Sequence, residues 1–370
     1  MTNILIFILA FLLIVTVVQI LRVRELMAAV EKRDVNEVNE KDNIFNAKMM
    51  LIVGGLFLIS FVCQFFAWRH LLLPASSSEH GVIIDELMSF TMILIVFVFF
   101  ITQPLLFWFT YKYAKKSGNE TAYYFVHNNK LEIVWTVIPA IVLTGVILYG
   151  LSTWNKITNA DVSDSTVIEL YAKQFNWTAR YSGEDNKLGS ANYKLVAPIN
   201  PLGTNALGVD MEDENSGDDI ITSASDNVVH LVKDKPVLLK FRSQDVIHSA
   251  FLPHFRVQMN CVPGMTTQFA FTPTKTTKEM RLDPKIVQQM STLNNKINQM
   301  TKSEKVKFLK NYNKTVEDLP LEFDYVLICN KICGAAHYNM QMKFIVETQE
   351  EYDAWIASQK TLSEKLLTKN

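Results

Sequence analysis

Twelve residues near the C-terminal end, Cys329-Asn330-Lys331-Ile332-Cys333-Gly334-Ala335-Ala336-His337-Tyr338-Asn339-Met340, hold two thiols, an imidazole and a thioether at gaps of four, four and three. Thiolate, imidazole and thioether are soft-metal ligands, and a weak Met ligand beside Cys and His is a feature of electron-transfer copper sites. The loop needs more ligands than it supplies. Upstream, Asp245-Val246-Ile247-His248-Ser249 offers a second imidazole just after the apolar run Val237 to Phe241, so that a His at a strand end can face the loop. Two other readings use some of the same residues: a closed Cys2His2 zinc site with His248 and His337, or a small disulfide loop through the C-x3-C pair. Zinc has no use for Met340.

The loop together with His248 resembles the dinuclear copper motif of cytochrome c oxidase subunit II, H... C-x-E-x-C-G-x-x-H-x-x-M. The resemblance implies that Cys329 and Cys333 bridge two copper ions, that His248 and His337 each bind one, and that Met340 and the backbone carbonyl of Lys331 complete the two coordination spheres. Where the family has Glu as a ligand of a non-redox magnesium ion, this chain has Lys331, a cation that cannot ligate one. The segment Asn260-Cys261-Val262-Pro263-Gly264-Met265 also lacks the family's usual acidic first and basic last residues. Copper is untouched by these changes, because the Lys331 ligand is a backbone atom; the magnesium site is what they put in doubt.

The elements that must position these residues fall into two halves. The 370 residues are 49% hydrophobic with a net charge of -1, but the apolar residues are concentrated before about residue 155. A bilayer-spanning helix needs about 20 mostly apolar residues, and four segments qualify, at about 3 to 21, 49 to 68, 88 to 111 and 131 to 154. The first has no charge before Arg22 and no small-residue cleavage site, so it reads as a retained anchor. Six Lys or Arg lie between the first two spans and four between the last two, against Arg69 alone in the 69 to 87 loop. The positive-inside rule therefore puts both basic loops in the cytoplasm and everything after residue 155 outside.

Tyr111-Lys112-Tyr113 and Asn128 to Pro139 resemble the stretch joining the two membrane helices usual in subunit II; the first two spans have no counterpart in that two-helix form. Glu132 sits in the first turn of the fourth span. A carboxylate there suits the helix dipole, with Asn129 as a nearby cap, whereas the resemblance implies a place at the mouth of a proton pathway of the large subunit.

From residue 156 to 370 the pattern becomes short, β-branched and aromatic runs: 166 to 172, 228 to 232, 237 to 241, 267 to 271 and 340 to 346. They predict a β-sandwich, and the resemblance implies a cupredoxin-like Greek-key barrel, closed by a helix from Glu350 to about Leu366. The fold class is thus a membrane-anchored α + β chain, four helices followed by a barrel with a helical insertion. That insertion, about 282 to 316, predicts a helical hairpin immediately before the copper loop, with Ser303 as a cap. Residues 210 to 219 carry six acids and no base, which reads as a solvated loop or, alternatively, as a docking patch for a basic cytochrome.

Of the other Cys, Cys63 and Cys261 read as structural, and His254 as a surface or outlying neighbour of the centre. No C-x-x-C-H is present, so no c-type haem is fused to the chain and a separate donor is needed. Tyr171 to Trp177 resembles the family's Q-W-x-W stretch, whose first Trp receives the docked cytochrome. Phe175 takes that first place and Trp177 the second, although alternating aromatics on a strand also suit packing alone.

The resemblance implies subunit II of a bacterial haem-copper oxidase. Such a subunit takes single electrons from a cytochrome c and passes them to haem in subunit I, which reduces oxygen to water and pumps protons. Its partners would be subunit I, other oxidase subunits, the donor cytochrome and membrane lipid, with no nucleic acid. The place implied is the bacterial inner membrane, the copper domain on the periplasmic side. The competing readings are a non-redox structural module holding zinc or a disulfide, and a copper-free quinol oxidase subunit.

Overall fold

The computed structural model describes residues 2–30, 40–115, 123, 124, 126–196, 207–222, 228–312 and 314–367. Four long helices come first: α1 (Thr2–Val30), α2 (Glu40–Trp68), α3 (Glu79–Lys112) and α4 (Asn129–Thr158). Among the described residues three stretches, not the four expected, are long and apolar enough to cross a membrane: Glu40–Leu71, Glu79–Lys112 and Asn129–Thr158. The span expected at 3 to 21 falls in α1, where the side chains up to residue 10 lie outside the described residues. The apolar side chains of α2 to α4 are mostly exposed in the isolated chain, as suits helices whose surroundings are lipid.

The chain forms two compact units, residues 1–72 with 92–134, and residues 73–91 with 135–370. In the first, Gly54 lies so close to Phe107 that an added Cβ would fall 2.3 Å from the ring. Phe61 and Phe99 meet nearby at 5.0 Å between ring centroids.

The second unit contains two five-stranded sheets. The strands are β1 (Thr166–Lys173), β2 (Asn176–Tyr181), β3 (Ile220–Ile221), β4 (Val228–Val232), β5 (Val237–Ser243), β6 (His248–Leu252), β7 (Val257–Cys261), β8 (Thr267–Phe271), β9 (Tyr325–Cys329) and β10 (Gln341–Glu347). One sheet runs β3-β2-β1-β5-β8 and the other β4-β10-β9-β6-β7. Pairing is antiparallel except for β1 with β5 and β10 with β4. Ile168, Leu170, Trp177, Leu239, Phe241, Phe255, Leu327 and Phe344 form the shared core, all fully buried or nearly so. Several strands contribute alternate side chains to it, whereas β1 is buried along both faces from Val167 to Ala172 and β4 from Val229 to Val232. Its second face carries Glu169, bonded to Arg180 at 2.6 Å, while Arg180 also bonds Asp219 at 2.9 Å.

That ion pair corrects the reading of the acidic run. Asp219 is buried, Asp218 accepts the Glu184 and Asp185 amides, and Asp213 accepts those of Ser190 and Asn215. These acids order the loop, and are not merely solvated charge. Hydrogen bonds hold the Asp213 carboxyl well below the usual range.

Before β9 come three helices, α5 (Thr277–Leu282), α6 (Pro284–Asn298) and α7 (Lys302–Lys310). The helical segment thus begins earlier than 282, and β9 separates it from the copper loop. Asp283 caps α6, with Pro284 at the first helical position, where a missing N–H costs nothing. Thr301, not Ser303, caps α7, in a reciprocal capping box with Glu304. Ile297, Leu309 and Leu321 give these helices a core of their own. The expected closing helix is two, α8 (Gln349–Ala357) and α9 (Leu362–Leu367).

The connection from α2 to α3 is stitched into this unit. Ser77 N–H donates to His254 O at 2.7 Å, Thr274 N–H to Ser77 O at 2.8 Å, and Arg256 holds the Asp85 carboxylate at 2.8 and 2.9 Å. The α2–α3 connection and the sandwich therefore lie on one side of any membrane, in keeping with the charge-poor loop being the outer one.

Candidate metal centre

β6 begins with His248, β9 ends with Cys329, and the loop from Cys329 returns through Met340 into β10. The loop is closed at its base, since Cys329 N–H donates to Met340 O at 3.0 Å and Asn330 N–H to Ser249 O at 2.8 Å. A short 3-10 helix, His337–Asn339, turns His337 back toward the thiols. Gly334, at φ +144°, occupies a conformation that glycine tolerates best; an added Cβ would also lie 2.8 Å from the Phe175 ring.

All six expected ligand groups converge. The two Sγ atoms are 3.9 Å apart; Cys329 Sγ is 3.8 Å from His248 Nδ1, and Cys333 Sγ is 3.6 Å from His337 Nδ1. Cys329 Sγ also meets the Lys331 carbonyl at 3.2 Å, and Cys333 Sγ meets Met340 Sδ at 3.9 Å. Each thiol thus has one imidazole and one weaker donor, a near-symmetric set. His248, Cys329, Cys333 and Met340 are buried. The Cys are free, at a separation well beyond the ~2.05 Å of a disulfide. The donor set fits copper, because the sulfur of Met340 lies among the ligands and a zinc site would leave it unused.

Electrostatics divide the thiols. Burial would raise Cys329, yet contacts with the His248 ring and with the Ser249 and Lys331 backbone bring it down to about 6. Burial and the neighbouring Cys329 charge push Cys333 up to about 11. Burial opposes protonation of His248, but its Cys329 and Asp245 partners raise its pKa.

Two residues went unrecognised as parts of the site. Asp245 Oδ1 is 2.9 Å from His248 Nε2; the D-x-x-H spacing at a strand end was the available signal. Gln174 donates its side-chain N–H to the Cys333 carbonyl, a long-range contact with no local signature.

The other residues fall as follows. Trp177 is fully buried, its indole N–H 3.4 Å from Met340 O and its ring 6.2 Å from His248; no donor can touch it directly. Phe175 is half-buried at the β1–β2 turn against Gly334. Glu132 lies in the first turn of α4, and the cap is Asn128, not Asn129: Asn128 Oδ1 accepts from Leu131 N–H at 3.2 Å while Asn128 N–H donates to Glu132 at 3.3 Å. Lys331 is exposed. Cys261 pairs with His248 across β6 and β7, and burial pushes its thiol up to about 12, as befits a packing residue. His254 is half-buried; it packs edge-on against Phe323 and Tyr325 at 5.0 and 5.5 Å, and burial lowers its pKa to about 4.

Residues 66–153 match the transmembrane domain of cytochrome c oxidase subunit II, and residues 166–279 match its periplasmic domain. An alternative cytochrome c oxidase subunit 2 of Bradyrhizobium diazoefficiens is 28% identical over 76% of this chain and 81% of its own length. The cytochrome c oxidase subunit 2 of Thermostichus vulcanus is 21% identical, over 84% of each chain. That of Cereibacter sphaeroides is 26% identical over 53% of this chain and 64% of its own. With both family domains matched in order over more than half of its length, and His248, Cys329 and Cys333 converged in the second unit, the chain belongs to the cytochrome c oxidase subunit II family.

Proposed function

We propose that the loop holds two copper ions and that the chain accepts single electrons from a cytochrome c, passing them to haem in subunit I. The observation that carries this reading is the pair of thiols 3.9 Å apart, each with its own imidazole. Copper held by the Cys329 and Cys333 thiolates would supply one-electron redox chemistry with its charge spread over both sulfurs. The protein's part is to keep the ligands still: β6, β9 and β10 fix them to three adjacent strands of one sheet. Neither zinc nor a disulfide explains the Met340 sulfur among the donors, and a copper-free quinol oxidase subunit would not need the set at all.

The proposal extends to the setting. The chain is a multi-pass protein of a bacterial inner membrane, α1 being its fourth span and the sandwich a Greek-key domain. It docks on subunit I and other oxidase subunits, without magnesium coordination by Lys331. Glu132 faces the cytoplasm at the mouth of a proton path, and the donor makes contact at Phe175. What supports Phe175 is its place on the turn whose ring covers Gly334, next in sequence to Cys333. Stopped-flow reduction of the copper-loaded chain by its cytochrome tests this: Phe175→Ala slows electron input and leaves the copper bands in place, whereas an unchanged rate moves the contact elsewhere.

A further inference from the structure

We infer that Gln174 and Asp245 form a brace that holds the two ligand-bearing segments of the centre in register, acting as positioning residues. The inference rests on the reading of the loop as a copper centre. Asp245 Oδ1 bonds His248 Nε2 at 2.9 Å and accepts the Val246 amide at 2.7 Å, while Oδ2 accepts the Gln174 amide at 2.7 Å. An acceptor facing Nε2 keeps the ring proton there, which leaves the Nδ1 lone pair directed toward Cys329 Sγ, 3.8 Å away. Gln174 also reaches the other segment, its side-chain N–H bonding the Cys333 carbonyl. One residue at the tip of the β1–β2 turn is thus bonded to partners 71 and 159 positions away in sequence.

Core burial does not explain this. Gln174 is exposed, yet its main chain and its side chain both bond into the site. The neighbouring Phe175 ring presses on Gly334 from the same turn. The turn therefore bears on His248 through Asp245 and on the Cys loop through Cys333, so that the two imidazole-thiol pairs cannot drift apart independently.

The chemistry of the carboxylate matters as well as its position. Asp245→Asn has one acceptor oxygen. If that oxygen faces Gln174, its NH2 faces Nε2 and drives the ring proton to Nδ1, the atom a metal needs; if it faces His248, the NH2 opposes the Gln174 amide.

The test uses the full chain in detergent, loaded with copper and followed by copper affinity, visible and near-infrared bands, and midpoint potential. Asp245→Asn is expected to weaken copper about ten- to hundred-fold, shift the bands, and raise the potential, since a fixed negative charge beside the centre is lost. Gln174→Leu, on the exposed surface, is expected to shift the bands and weaken copper while the metal-free chain keeps its circular dichroism; it serves also where Asp245→Asn fails to fold. Wild-type affinity and bands in Gln174→Leu overturn the brace. Wild-type chain that takes up copper without thiolate bands overturns the reading of the centre itself, a result the variants cannot mimic.

Discussion

At the scale of the residue, the centre divides its cysteines by geometry. Cys329 and Cys333 each touch an imidazole, while Cys261, on β7, is set by burial. Cys329→Ser or Cys333→Ser is therefore expected to abolish the thiolate-copper bands, and Cys261→Ser to leave them unchanged, in spectra of the loaded chain. Gly334→Ala adds a Cβ 2.8 Å from the Phe175 ring at a φ of +144°, so the loop must shift; the expected outcome is reduced copper occupancy by elemental analysis. The convergence of these six groups was legible in the sequence because five of them lie in one loop and His248 follows an apolar run at a strand end. The cap on α4 was misread by one residue, Asn129 for Asn128, and that on α7 by two, Ser303 for Thr301. Neighbouring side chains of similar capping strength compete there, and backbone geometry decides between them.

At the scale of the element, the least legible part was the run from 210 to 219. Six acids in a row of ten look like solvent-facing charge, yet Asp219 is drawn into the sheet by Arg180, which itself sits between Glu169 and Asp219. Pairing across 39 residues leaves no local pattern. Burial raises the Asp219 carboxyl from 3.8 to about 7, against the opposing pull of Arg180 and with Asp218 and Glu169 adding to the rise. Between those limits the folded chain holds a proton that the unfolded chain has released, so this group's contribution to stability declines as pH rises through the window. Thermal unfolding from about pH 4 to 7 should show that decline, and Asp219→Asn should flatten it. Truncating the shared cation, Arg180→Ala, leaves buried Asp219 without its cation while Glu169 keeps Arg242, and is expected to cost about 3–5 kcal/mol.

At the scale of the whole molecule, hydropathy separates an apolar half from a strand-rich half, since runs of about 20 apolar residues have few other uses, whereas the compact units cut across that boundary, residues 73–91 and 135–155 going with the strands. What hydropathy could not show is that the α2–α3 connection is bonded to the sandwich, through Ser77, Asp85 and Arg256. That stitching agrees with the charge bias of the loops. A cysteine introduced at Leu73 should be labelled from the outside of intact cells, and one introduced at Lys130 should not; the reverse pattern would invert the chain in the membrane and place the copper loop on the wrong face for an outer donor.

The central claim is that paired thiols, paired imidazoles, Met340 and the Lys331 carbonyl together hold a two-copper centre. Copper and zinc analysis of the purified full chain, with its visible and near-infrared spectrum, tests it most directly. The account predicts two copper ions per chain and thiolate-to-copper bands that vanish in Cys329→Ser. Zinc alone, or a Cys329–Cys333 disulfide with no bound metal, would contradict it.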